Sequence, residues 1–232
     1  MPAPEPVSLT TLARAQGPRG ELALRERRSP GTAPVHELVV NGAFAMDSAE
    51  VASERRLAEL VAERGRLGRV VVGGLGLGYT AAALLDAGVQ RLEVVELEPD
   101  LVAWARAGLT EQLGRVAADP RCTLHTADVV SWLEEAATGW ADAVLLDVDN
   151  GPDFLIHPDN ARLYSAPLLA RALALLVPGG LLAVWCQGRT PELQQALTRL
   201  GPTEEVVVPV RRGRHAIGYA IYLTTAPAIV QP

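Results

Sequence analysis

Arg69 to Leu85 reads RVVVGGLGLGYTAAALL, and no other stretch constrains the fold as tightly. A β-branched run enters glycines at 73, 74, 76 and 78 and leaves through an alanine- and leucine-rich run. A short strand with no polar alternation belongs in a sheet covered on both faces, which is the setting of parallel strands. Glycines at a strand-to-helix junction allow tight turns, and they let a ligand approach the backbone with no Cβ in the way. The helix that follows offers free N–H groups at its first turn.

The same alternation continues along the chain. Strand patterns occupy 69–74, 91–97, 122–126, 141–148 and 180–186. Helical patterns occupy 79–87, 99–107 with a continuation to 117, 129–137 and 160–176, the last stopped by Pro178-Gly179-Gly180. This order predicts an α/β fold with a doubly wound, mostly parallel, Rossmann-like sheet. After a helix at 190–200, runs at 204–210 and 216–225 flank an Arg/Gly turn and predict an antiparallel hairpin, which brings the sheet to seven strands. The hydrophobic share is 49% and the aromatic share only 4%, so the core is aliphatic.

The N-terminal part differs. Residues 1–19 are rich in Pro, Ala and Gly and are expected to be flexible. Residues 20–64 predict a small unit of a β-hairpin and a helix. Asn41-Gly42 is a two-residue hairpin signal, and Leu57, Leu60 and Val61 share one helix face behind a Ser48 cap. The α/β domain then covers 65–225, with a tail at 226–232. No apolar run approaches the ~18 residues of a membrane span, and the N-terminus lacks a signal-peptide pattern, so a cytoplasmic protein with no membrane partner is expected. The net charge of −6 argues against a general nucleic-acid partner. Cys122 and Cys186 form no CxxC or Cys/His cluster, and no metal is expected.

Acidic residues stand where the strands end. Glu96 closes the second strand, 20 residues after Gly76, the spacing of an acid that takes ribose hydroxyls. Asp128 follows the third strand and Asp147 the fourth. Each has a plain alternative: Asp128 as a helix cap, Glu96 as a solvated strand end, Asp147 as a loop residue. A dinucleotide site prefers G-x-G-x-x-G, and Tyr79 stands in place of the third glycine, so a dehydrogenase is disfavoured.

VVVGGLGLGYTAAALL, RLEVVELEPDLVAWAR, DPRCTLHTADVVSWL, ADAVLLDVDNGP and LLARALALLVPGGLLAVW, in that order, resemble the class I S-adenosylmethionine-dependent methyltransferase fold. Within it they are most similar to the spermidine synthase (polyamine aminopropyltransferase) family. The resemblance implies that Gly74, Gly76 and Gly78 line the donor, Glu96 takes the ribose hydroxyls and Asp128 the adenine amino group. Ala127 and Val129 would flank the ring, and Asp147 would face the reacting centre. It also implies S-adenosylmethionine or its decarboxylated form as cofactor.

The departures shape the functional expectation. The family's glycine loop resembles GGGDGGT, and Leu77 stands at the acid. Its motif after the fourth strand resembles D-S-[ST]-D-P, and Asn150 stands at the second acid. Its hairpin resembles DGxxQ, and Ala45 stands at the glutamine, with no YHE after it. A diamine acceptor needs several carboxylates, so these losses point to methyl transfer to a small-molecule acceptor, oriented or deprotonated by Asp147. Aminopropyl transfer to a polyamine, with Asp149 and Asp153 as replacement charge, is the alternative; a nucleoside-binding homologue without turnover is another. His157 is a second catalytic candidate because an unperturbed imidazole titrates near neutrality. Tyr164 and Phe154 are candidates for shaping the acceptor pocket. The basic turn Arg211–His215 reads as a solvated hairpin tip. Free edges on the N-terminal hairpin allow a homodimer.

Overall fold

The computed structural model describes residues 7–17, 19–153, 155, 158–212 and 215–227, the side chains of 211, 212, 215 and 216 excepted. His157 and Phe154 lie outside the described residues, as does much of the basic turn at 211–215.

A four-stranded antiparallel sheet comes first, in the order β1 (Ser8–Gly17), β2 (Gly20–Arg28), β3 (Val35–Val40) and β4 (Ala43–Asp47). β1 corrects the expectation of a flexible 1–19: from Ser8 opposite Arg28 to Gly17 opposite Gly20 it pairs along the whole of β2. Its side chains are largely exposed, so backbone ladder bonds and not an apolar face hold it, and such a strand leaves little hydrophobic signal in sequence. Asn41 and Gly42 take φ of 52° and 75° between β3 and β4, as a two-residue turn requires.

Helix α1 (Ala52–Glu63) buries Leu57, Leu60 and Val61. Ser48 does not cap it. Its hydroxyl accepts the His36 N–H at 2.9 Å, so it ties β4's exit to β3.

The second sheet has seven strands in the order β10 (Thr203–Arg212), β11 (His215–Thr225), β9 (Leu176–Cys186), β8 (Ala141–Leu146), β5 (Arg69–Gly73), β6 (Arg91–Glu96) and β7 (Cys122–Thr126). β5 to β9 pair in parallel, and β11 runs antiparallel to β9 and β10. The connecting helices are α2 (Tyr79–Asp86), α3 (Pro99–Arg106), α4 (Glu111–Ala118), α5 (Val129–Glu135), α6 (Ala166–Ala174) and α7 (Pro191–Thr198). The run expected to continue to 117 is two helices, and Thr110 caps the second by accepting the Leu113 N–H. The run expected at 160–176 is a 3-10 segment, Pro158–Tyr164, followed by α6, with Pro167 in the first turn after Ser165. β9 begins before Gly180 and runs through Pro178 and Gly179.

The sheet separates two apolar layers. Val70, Val72, Leu92 and Val94 pack with α1 to α4 and with Leu22, Leu24, Leu38 and Val40 of the N-terminal sheet. Val71, Val95, Val144 and Leu146 pack on the other face with α5, α6 and α7. Both faces are therefore dry, and the polar strand ends collect at one edge. The strand order reverses between β5 and β8 there, where doubly wound sheets open a crevice.

Candidate active site

The glycine turn is wedged between two neighbours. Gly74 takes φ 92°, and a Cβ on it would lie 2.2 Å from the Asp147 carbonyl oxygen. Gly76 takes φ 51°, and a Cβ there would lie 2.7 Å from Met46 Sδ. Met46 Sδ also accepts the Leu77 N–H at 3.3 Å, so β4 closes over the turn. Gly78, left-handed at φ 83°, is the N-cap of α2 and packs toward Leu113 and Val116.

Beside the turn lies a cavity with about 1070 Å³ of atom-free space, open mouth included. Gly74, Gly76, Glu96, Asp128, Val129 and Asp147 all line it; Gly78 does not. Leu22, Leu38, Val40, Ala45 and Met46 of the N-terminal sheet form an apolar wall. Six carboxylates border it, from Glu54, Glu96, Glu98, Asp128, Asp147 and Asp149, and no described lining residue is Lys, Arg or His.

Glu96 is 8% exposed. Its Oε2 accepts the Leu75 N–H and its Oε1 the Glu98 N–H, each at 2.8 Å. Burial pushes its carboxyl up, and the backbone donors pull the other way. A carboxylate has about four lone-pair sites, and backbone N–H groups take up at least two of them. Asp128 caps α5 through Oδ1, which accepts the Val130 N–H at 2.9 Å. The capping alternative therefore holds for one oxygen, while the residue still borders the cavity.

Asp147 follows β8, and its N–H donates to the Gly73 carbonyl at 2.9 Å. Its Oδ2 accepts the Thr80 hydroxyl at 2.6 Å. Burial pushes the Asp147 carboxyl up to about 6, against the lowering effect of Thr80. The loop after it is gripped residue by residue. Tyr164 OH donates to the Val148 carbonyl at 2.8 Å, Asn160 Nδ2 to Asp149 Oδ2 at 2.8 Å, and Gln187 N to the Asn150 carbonyl at 3.0 Å. Asp149 holds φ 54°, rare for a non-glycine residue. Asp153 instead accepts the Thr190 hydroxyl at 3.0 Å and is not among the lining residues, so the cavity's added charge comes from Asp149 and Glu54.

Leu77 also departs from expectation. It is 1% exposed, packed in the core and absent from the cavity wall. Sequence reasoning missed Thr80, Glu54 and Trp185, and did not foresee the contact that Asn160 makes with Asp149. Thr80 and Asn160 act through contacts 67 and 11 residues away, which no local pattern shows. Trp185 borders the cavity with a buried Nε1–H that has no partner among the described residues. No group of three metal-ligating residues occurs among the described residues.

Solved structures share this architecture. A spermidine synthase from Thermotoga maritima superposes with a TM-score of 0.75 over 94% of this chain and 74% of that one, at 13% identity. A spermidine synthase in complex with the transition-state analogue AdoDATO gives the same values. A probable spermidine synthase from Corynebacterium glutamicum gives 0.66 over 92% of this chain and 79% of that one, at 17% identity. The fold is spermidine synthase-like.

The curated relatives agree. A polyamine aminopropyltransferase of Mycobacterium tuberculosis is 37% identical over 118 residues, 50% of this chain and 22% of its own length. One from Corynebacterium efficiens is 36% identical over 120 residues, again 50% and 22%. One from Prochlorococcus marinus is 26% identical over 125 residues, 53% and 42%. The match thus spans about a fifth of the mycobacterial and corynebacterial relatives. No protein-family model matches.

These relatives overturn methyl transfer as the favoured expectation, because those matched are named polyamine aminopropyltransferases. Of the three departures behind that expectation, Leu77 lies in the core and not at the cavity, while Asn150 and Ala45 do line it. No helix among the described residues is long and apolar enough to cross a membrane.

Proposed function

We propose that this spermidine synthase-like chain is an aminopropyltransferase that takes decarboxylated S-adenosylmethionine as donor and a polyamine as acceptor. The observation that carries this reading is the charge of the cavity, six carboxylates with no basic lining residue among those described. An aliphatic amine and a sulfonium are both cationic, and a partly desolvated acidic cavity selects for such charge. Glu98 is matched by a protein cation, because Arg19 Nε donates to it at 2.8 Å. The apolar wall suits the methylene chain of a polyamine.

In this reading Gly74 and Gly76 leave room for the donor, Glu96 takes its ribose hydroxyls, and Asp128 and Val129 border its base. The acceptor nitrogen attacks the carbon next to the sulfonium, the sulfur leaves as a neutral thioether, and Asp147 takes the proton released by the amine. A proton acceptor tuned to about 6 is ionised at neutral pH and still basic enough to share that proton. Cys122 and Cys186 are free thiols, which fits a reducing cytoplasm.

Incubation with the decarboxylated donor and a panel of diamines tests the proposal. Methylthioadenosine and an extended polyamine are expected in equal amounts. Product at background with every acceptor overturns it. The second reading, a nucleoside-binding protein without turnover, is favoured by Asn150, which lines the cavity where the resembled motif has its second acid, and it predicts donor binding in calorimetry with no product.

A further inference from the structure

We propose that the glycine turn has a second task besides admitting a donor: it presents Thr80 as the positioning residue that aims and holds the Asp147 carboxylate. This rests on the reading of Asp147 as the acceptor's base. Gly74 has no Cβ, so the exit of β8 comes against the turn, with the Asp147 carbonyl 2.2 Å from where that Cβ would be. Gly78 then starts α2 in a left-handed conformation, which makes Thr80 the second residue of the helix. From that place its hydroxyl donates to Asp147 Oδ2 at 2.6 Å, while Thr80 itself is 4% exposed. A side chain so enclosed has little rotamer freedom, so the hydrogen bond fixes which carboxylate oxygen stays available.

Thr80 is the one side chain that donates to Asp147 among the described residues. Among the described residues that line the cavity with Asp147, the titratable groups supply no cation. Asp149 is on its own loop, Tyr164 on the 3-10 segment, Tyr79 on α2, Glu96 at the end of β6, Asp128 beyond β7 and Glu54 on α1. All are acidic or neutral, and burial also favours the protonated acid. The Thr80 hydroxyl and the positive end of α2 are therefore what keep Asp147 able to accept a proton at neutral pH.

The test compares Thr80→Val with Thr80→Ser in pH profiles of kcat/KM for a diamine acceptor. The expected result is an acidic limb moved up by about one pH unit in Thr80→Val, with the rate returning toward wild type at high pH. Thr80→Ser keeps the wild-type limb. Calorimetry with methylthioadenosine at high pH checks that both variants are folded. A uniform loss at every pH, or an unmoved limb in Thr80→Val, overturns the proposal. If the wild type gives no product, the functional reading fails instead. Thr80 is then decided by carbon-13 carboxyl titration of Asp147, identified by its loss in Asp147→Asn. A higher midpoint in Thr80→Val supports the proposal, and an equal one overturns it.

Discussion

Met46 Sδ occupies the space that a side chain on Gly76 would need, 2.7 Å from the position of its Cβ, and it accepts the N–H of Leu77 at 3.3 Å. The N-terminal sheet is thereby locked onto the glycine turn. Gly76→Ala meets two penalties, the left-handed φ of 51° and this contact. A loss of about 1–2 kcal/mol from the backbone alone is expected in urea unfolding. Adding Met46→Ala should recover the contact part and leave the backbone part. A double variant no better than Gly76→Ala would show that Met46 does not enforce the glycine.

Leu77→Asp separates the sequence reading from the structural one. If Leu77 bordered the donor, an acid there would strengthen binding of a cationic donor. At 1% exposure in the core it should instead bury an unpaired charge and cost about 3–5 kcal/mol. Chemical denaturation measures the stability, and calorimetry with the decarboxylated donor measures the affinity. A stable, tighter-binding variant would overturn the placement of Leu77.

Asp147 should trade stability for function. Its carboxyl is raised from 3.8 to about 6 on folding, so the folded state holds the proton more tightly than the unfolded state. That contribution to stability is complete below about 4 and is lost as the pH rises through about 6. Asp147→Asn carries no such loss. Relative to wild type, it should therefore gain about 1–2 kcal/mol between acid and pH 8, the side chain being only half-buried. Thermal unfolding across that range measures the gain, and a constant difference would exclude it. Turnover should fall by about 10²–10⁴ in the same variant.

Arg19 joins the two sheets at the cavity's rim. It donates to Glu98 Oε1 at 2.8 Å and to the Leu97 carbonyl at 2.7 Å, just past Glu96. Its own carbonyl accepts from Asn41 Nδ2 at 3.0 Å. Arg19→Met should speed amide hydrogen exchange in the turns around Gly20 and Asn41 and leave exchange in β5 and β8 unchanged. Equal exchange in the two proteins would remove Arg19 as the tie.

Strand–helix alternation determined the seven-stranded parallel architecture, and the spacing from Gly76 marked Glu96, because both are written at short range in hydrophobic period and turn chemistry. Asp128 and Asp147 were placed at the cavity's edge for the same reason, since strand ends in a parallel sheet share one edge, while Val129 came only with the family resemblance. β1 was not legible, because a strand held by backbone pairing with exposed side chains has no apolar signature. Only the tertiary structure decided that Leu77 points into the core, that Met46 enforces Gly76, and that Thr80 rather than a nearby loop residue holds Asp147. Met46 accepts the Leu77 N–H from 31 positions away, and Thr80 reaches Asp147 across 67. The direction of a side chain in a tight turn is set by what packs against the turn, and the partners that pack against this one come from distant parts of the chain.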